Sequence, residues 1–274
     1  MAEVYSSSVA ETHRAAEQAL RQRRFEDTER LCGELLRSTP RDAHALFLLG
    51  VAAAERRQIP KALQALQQAV LLEPERADYL AQFARYLSAA KADKQAMQIA
   101  RAAMQLDSSD PLVLDTLGCV FSRAGDHETA LVNFRQATAI KPDHADFQFN
   151  LAASLKFTGE LDAAEQAYEA AIAADPSNAR AHWALANLRR QSDEVNHVAR
   201  LQALLEDDGN VDDRLYLHYA LAKEQEDLGD YASAFENWAR ANSSKRATLD
   251  YDVAQDEALF DALIAKGEAG STDR

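Results

Sequence analysis

The chain has 274 residues and a formal net charge of −14. That acidity argues against broad nucleic-acid binding, which needs a net basic face for phosphate, and against an anionic membrane surface. Two cysteines, Cys32 and Cys119, are too few for a disulfide framework and lack close Cys or His neighbours for zinc, and no apolar run approaches the ~20 residues that cross a bilayer.

The start, Met1 to Ala10, lacks the basic and apolar stretches of a signal peptide. The expectation is a reducing, cytoplasmic setting, with residues 1–8 disordered. From residue 9 a fixed interval takes over. Pro40 and Pro74 are 34 residues apart, Ser108 stands at the next such place, and Pro142 and Pro176 follow. A period of this size predicts a solenoid of helical hairpins. The units run 9–40, 43–74, 77–108, 111–142 and 145–176.

Numbering each unit so that its proline place is 32 aligns other positions. Position 8 holds Ala16, Gly50, Ala84, Gly118, Ala152, Ala186 and Ala222. Position 20 holds Thr28, Ala62, Ala96, Ala130, Ala164 and Ala234. Small residues there let two helix axes approach closely. Larger residues, Leu66, Phe134, Tyr168 and Trp238, share position 24. Gly125-Asp126, Gly159-Glu160 and Gly229-Asp230 fall midway through their units, where glycine ends a first helix in the left-handed conformation. Proline after the second helix stops it.

The sixth unit, 179–205, is degenerate. Its first helix is expected at about Ala179 to Arg190, its second at roughly Asp193 to Leu205, and no proline closes it. An acidic linker, 206–213, leads to a last repeat and capping helix over 214–266. Val253, Leu259, Phe260, Leu263 and Ile264 recur there at helical spacing. An open array needs such a cap for its last apolar face. Residues 267–274 are expected to form a disordered polar tail.

The stretch LDTLGCVFSRAGDHETALVNFRQATAIKPD, Leu114 to Asp143, resembles the tetratricopeptide repeat closely, and Phe149 to Pro176 nearly as well. The resemblance implies an all-α fold, a right-handed α-solenoid of about seven helical hairpins with a C-terminal capping helix. It also implies a concave groove lined by the first helices, through positions 2, 5, 6, 9, 12 and 13. Applied to this chain, those places nominate Arg123, Phe149, Asn150, Lys156, Arg180, Trp183, Asn187, Arg190, Tyr219 and Lys223. Aromatic residues with cations form the usual hot-spot mixture, and the cations suit a carboxylate. The same places also hold His44, Phe47, Gln82, Arg85 and Asp115. The Lys and Asn pattern of chaperone-clamping repeats is incomplete here.

No catalytic constellation stands out. The fourth residue after His127 is Leu131, so the His127-Glu128 pair is not a zinc-helix motif. The glycines form no phosphate loop, and the histidines are isolated in sequence. The expectation is a non-enzyme without cofactor or metal.

Leu217 to Asp252 carries a second resemblance, to the last repeat of bacterial proteins that join such repeats to a sulfotransferase domain. Ala220 to Lys223, Glu226 to Gly229, Tyr231, Ala234-Phe235, Ala241-Asn242 and Lys245-Arg246 carry it. The sulfotransferase domain itself is missing from these residues. Two functions therefore stand open. One is a scaffold that binds a protein or peptide, acidic or carboxylate-bearing, in the groove. The other is the regulatory or acceptor-binding region of a sulfotransferase. Nucleic acid and membrane are not expected partners, and self-association through the terminal repeats is a further expectation.

Overall fold

The computed structural model describes residues 2–206, 211–250 and 252–271. Among these residues every regular element is an α-helix. The chain divides into two compact units, Met1–Pro176 and Ser177–Arg274.

The first unit holds five hairpins: α1 (Ala2–Arg21) with α2 (Phe25–Ser38), α3 (Ala43–Glu55) with α4 (Ile59–Leu72), α5 (Ala77–Ala89) with α6 (Asp93–Met104), α7 (Pro111–Arg123) with α8 (His127–Ile140), and α9 (Ala145–Thr158) with α10 (Leu161–Ala174). The first helices α1, α3, α5, α7 and α9 touch one another in succession. This is the stack of an α-solenoid, in which each hairpin buries its apolar face on its neighbours.

Side-chain size sets the spacing within each hairpin. A β-carbon added to Gly50 would lie 2.6 Å from Leu66 Cγ, and one added to Gly118 would lie 2.5 Å from Phe134 Cε1. Positions 8 and 24 therefore meet, as the repeat pattern predicts, and the large residue fills the space the glycine leaves. Leu66, Phe134, Phe83, Leu117 and Phe121 belong to one continuous core. Asp42, Asp110 and Asp126 accept a backbone N–H at the starts of α3, α7 and α8, satisfying donors that a helix start leaves unpaired. Gly125 and Gly159 end their first helices with φ of 84°. In the first three hairpins the same place is taken by Arg23, Arg57 and Lys91, with φ of 59°, 60° and 64°.

The second unit comprises α11 (Ala179–Ala186), α12 (Val198–Glu206), α13 (Val211–Asp227), α14 (Tyr231–Ala247) and α15 (Val253–Ser271). Ala179, Ala186, Leu201, Leu217, Ala220 and Leu221 form its core. Four expectations change here and at the chain's start. Helix α11 stops at Ala186, before the expected Arg190, because residues 189–197 bond instead to α13, as described below. Asp212 and Asp213 lie in the first turn of α13, where the helix dipole favours acids; of the expected linker 206–213, residues 207–210 lie outside the described residues. Helix α1 begins at Ala2 and α15 runs to Ser271, so helix occupies 2–8 and 267–271 where disordered ends were expected, and 272–274 lie outside the described residues.

The fourth concerns capping. Helix α15 forms, yet Val253, Leu259, Phe260, Leu263 and Ile264 are all exposed. Phe235 of α14 is 74% exposed, whereas Leu131, at the same repeat position of α8, is 6% exposed where another hairpin follows. The apolar spacing that predicts a cap specifies an amphipathic helix, but not where that helix packs.

Gly118→Ala tests the close approach. Alanine improves helix propensity, but its methyl group forces the buried Phe134 ring aside. Overpacking of this kind costs about 1–3 kcal/mol, against ~1 kcal/mol gained in propensity. The expected result is a net loss of about 1 kcal/mol in urea unfolding, relieved by pairing the change with Phe134→Leu.

Candidate functional site

Groove candidates occur in both units, and each set has its own surroundings. In the first unit, helix periodicity brings Asp115 and Cys119 of α7 to one face, one turn apart. Asn150 of α9 donates from Nδ2 to Asp115 Oδ1 at 2.9 Å and lies 3.6 Å from Cys119 Sγ. Burial pushes the Asp115 carboxyl up to about 6; the Asn150 hydrogen bond opposes that rise, Asp146 adds to it, and Arg85 opposes it. Burial likewise pushes the Cys119 thiol up to about 12, with Asp115 adding and Arg85 and Arg123 opposing. Arg85, Arg123, Asp115, Cys119 and Asn150 thus share one electrostatic neighbourhood.

The other two candidates here have different surroundings. Phe149 is half-buried, and its ring meets Tyr168 of α10 at 5.8 Å between centroids, so it packs within its own hairpin. Lys156 is exposed near the end of α9. Beside it Phe157, 69% exposed, lies flat against His127 at 4.3 Å.

In the second unit the candidates separate. Lys223 pairs with Asp227 and donates to the Arg189 carbonyl at 2.7 Å. Asp227 Oδ2 also accepts the Gln191 backbone N–H at 2.8 Å, and Arg190 Nη2 reaches the Asp227 carbonyl at 3.5 Å. Glu224, 0% exposed, accepts from the His197 backbone N–H at 2.6 Å and meets its Nδ1 at 2.8 Å. Two carboxylates of α13 therefore hold the chain that would otherwise have continued α11. Asn187 donates to the Trp183 carbonyl at 2.8 Å. Tyr219 donates to Asn242 Oδ1 at 2.7 Å, and its ring meets Trp238 at 5.2 Å. Lys223, Arg190, Asn187 and Tyr219 are thus engaged within the fold. Arg180, with Asp212, Asp213, Tyr216, Lys245 and Thr248, lines an open cleft of about 770 Å³. Trp183, 39% exposed, sets its ring edge-on to Tyr216 at 5.8 Å.

The histidines that look isolated in sequence are not isolated in space. His13 and His44 lie 5.3 Å apart. His13 Nε2 meets Asp42 Oδ2 at 2.8 Å, and His44 Nε2 meets Glu17 Oε1 at 2.9 Å. With Nε2 of His44 donating to Glu17, its Nδ1 accepts the Tyr79 hydroxyl at 3.1 Å. Phe47 stacks on Tyr79 at 4.4 Å, and the Arg76 guanidinium sits 4.2 Å above that ring. Separations close to the repeat length concealed this cluster, since His44 and Tyr79 are 35 residues apart. Among the described residues no group of three or more His, Cys, Asp or Glu is arranged to hold a metal ion.

Family comparisons agree with this architecture. Two models described as tetratricopeptide repeat match residues 13–79 and 122–188. The chain belongs to the tetratricopeptide repeat family. Members of this family act as protein-interaction scaffolds. Among curated proteins, the TPR repeat-containing thioredoxin TTL4 of Arabidopsis thaliana is 32% identical over 94 residues, which is 34% of this chain and 14% of that protein. The chain therefore matches only a small part of that relative.

Solved structures share the fold. PilF of Pseudomonas aeruginosa superposes with a TM-score of 0.60 at 17% identity, covering 85% of this chain and 98% of that one. A thermophilic TPR protein of Thermus thermophilus gives 0.55 at 18% identity, covering 66% and 98%. YrrB, a TPR protein with an unusual peptide-binding site, gives 0.51 at 16% identity, covering 75% and 96%. At these identities the likeness is one of fold. Among the described residues of this tetratricopeptide repeat protein, no helix is long and apolar enough to cross a membrane.

Two measurements probe the groups described above. Glu224→Ala removes the acceptor of the His197 backbone N–H and the partner of its Nδ1, so a loss of about 3 kcal/mol is expected in chemical unfolding. Hydrogen exchange at residues 191–197 should accelerate with it. Asp115 titrates higher folded, at about 6, than unfolded, near 3.9. The folded state therefore holds its proton more tightly, and this contribution to stability is present below pH ~4 and lost as pH rises to ~6. Asp115→Asn should flatten that segment of the stability–pH curve by about 1–3 kcal/mol, as read from melting temperatures across the range.

Proposed function

We propose that this protein is a scaffold that holds an extended, carboxylate-bearing peptide segment against the first helices α5, α7 and α9. The observation that carries the reading is the half-buried Asn150–Asp115 pair, with Arg85 and Arg123 acting on the same neighbourhood. A peptide backbone alternates donors and acceptors. An amide beside a carboxyl group that titrates near 6 offers both kinds of partner. Arg123 and Lys156, exposed on α7 and α9, supply charge-assisted bonds to a carboxylate. The exposed ring of Phe157 offers an apolar contact of the kind that anchors peptide side chains.

In this reading Arg123, Asn150 and Lys156 touch the peptide, and Phe149 supports Asn150 from behind. Arg180 belongs to the separate cleft of the second unit, and Trp183 packs edge-on against Tyr216 of its lining. Asn187, Arg190, Tyr219 and Lys223 serve its internal bonding. YrrB carries a peptide-binding site on a related fold, which agrees with this use of the architecture. The sulfotransferase reading has no comparable observation in its favour.

The test is a peptide array followed by titration of the best binder by fluorescence anisotropy. Arg123→Glu with Lys156→Glu should weaken that peptide about tenfold or more, the scale expected for two charge-assisted contacts. Asn150→Ala should weaken peptides regardless of their carboxylate content. Unchanged affinity in both variants, with far-UV circular dichroism intact, would rule the groove out.

A further inference from the structure

We infer that the turn edge of the first three hairpins is a second binding surface, suited to an acidic polypeptide segment. The turn between paired helices occupies the same seven repeat positions in the first five hairpins and in the last repeat. In the first three hairpins those stretches, 21–27, 55–61 and 89–95, carry net charges of +1, +2 and +1. In the next two, 123–129 and 157–163, the net charges are −1 and −2, and in the last repeat, 227–233, it is −2. A chain of net charge −14 thus gathers a basic edge at one end of its first stack. Random placement of charge along an acidic surface does not lead one to expect three consecutive positive turns at the same register.

The apex residue of each turn sharpens the point. Gly125, Gly159 and Gly229 occupy the left-handed place in later repeats; Arg23, Arg57 and Lys91 occupy it in the first three. A residue with a β-carbon is uncommon in that conformation, and glycine adopts it freely. Three hairpins in succession keep a cation where glycine fits better. Backbone outliers of this kind are a recognised pointer to function.

These apex cations are also distinct from their neighbours. Arg24 pairs with Asp27, Arg56 with Glu26 and Glu29, and Lys61 with Glu29. Among the described residues no carboxylate stands within ion-pair distance of Arg23, Arg57 or Lys91, and all three are exposed. Arg23, Arg24 and Arg56 also line, with Phe25, Glu26 and Asp27, an open recess of about 410 Å³, in which Asp27 pairs with Arg24 and Glu26 with Arg56. The Arg23 guanidinium lies 6.0 Å from the centre of the Phe25 ring.

The chemistry selects the partner class. Three cations in a row attract a run of carboxylates. A nucleic acid would bring the same sign of charge, but its long-range field is opposed by the rest of this acidic chain. An acidic segment of a protein makes local contacts and fits the scaffold role of the family. This surface is separate from the groove and does not rest on it.

The variant R23G/R57G/K91G tests the proposal, because glycine suits the backbone there and the fold should hold. Its melting temperature is expected to equal or exceed that of the natural chain. Binding of a fluorescein-labelled oligoglutamate peptide to the full chain at low ionic strength is then measured. In an R123E/K156E background, which removes the groove cations, the glycine change should lose about tenfold or more in affinity, the scale of three lost charge contacts, while R23K/R57K keeps it. Equal binding by the glycine variant, or no binding by the natural chain, would overturn the proposal. Tighter binding of an equally charged oligodeoxythymidylate would overturn the partner class. A doubled mass in solution that the glycine variant abolishes would also do so, by assigning the edge to a second copy.

Discussion

The close approach of paired helices at a small residue on each first helix underlies the rest of this structure. Gly50 against Leu66 and Gly118 against Phe134 show its geometry most plainly. Interaxial distance follows from side-chain size at the contact, and a small residue at position 8 of every first helix lets each hairpin close to a similar thickness. Equal units stack in register, and the stack places the same repeat positions of successive first helices side by side. Asp115 and Asn150 come together for that reason: they are 35 residues apart in the chain yet hydrogen-bonded.

The second unit shows what happens when a different interaction outcompetes the repeat. Helix α11 has the capped start of an ordinary first helix, with Asn178 accepting the Ala181 N–H. Its continuation is lost because Glu224 and Asp227 offer the backbone of residues 191 and 197 stronger, charge-assisted bonds. A buried carboxylate demands such partners. Two groove candidates, Lys223 and Arg190, are drawn into that network. A cation at a groove position is available to a ligand only when no nearby acid claims it first, and Arg123 and Lys223 illustrate the two cases.

Charge is distributed along this protein with more order than its net value suggests. Around Asp115, burial moves the carboxyl group toward neutrality, with Asp146 adding to the rise and Asn150 and Arg85 opposing it. The turn edge instead separates them along the stack, positive in early hairpins and negative in later ones. Surface fields of this kind influence encounter and selectivity more than stability, which suits a molecule whose family joins other proteins.

Local and periodic features were legible in the amino-acid order alone. The interval from Pro40 to Pro176 set hairpin length, the glycines at 125, 159 and 229 marked turns, and the small positions named the buried face. These follow from backbone geometry and side-chain volume, which act within about one repeat and are written in order along the chain. Whatever depends on residues about one repeat or more apart emerged only when the helices packed. Packing brought His13 to Asp42 and His44 to Glu17, closed α11 early through Glu224, left the apolar residues of α15 exposed, and engaged Lys223 while leaving Arg123 at the surface. Hydrogen bonding and ionisation depend on distance and burial in three dimensions, and a linear pattern fixes neither of these before the chain has folded.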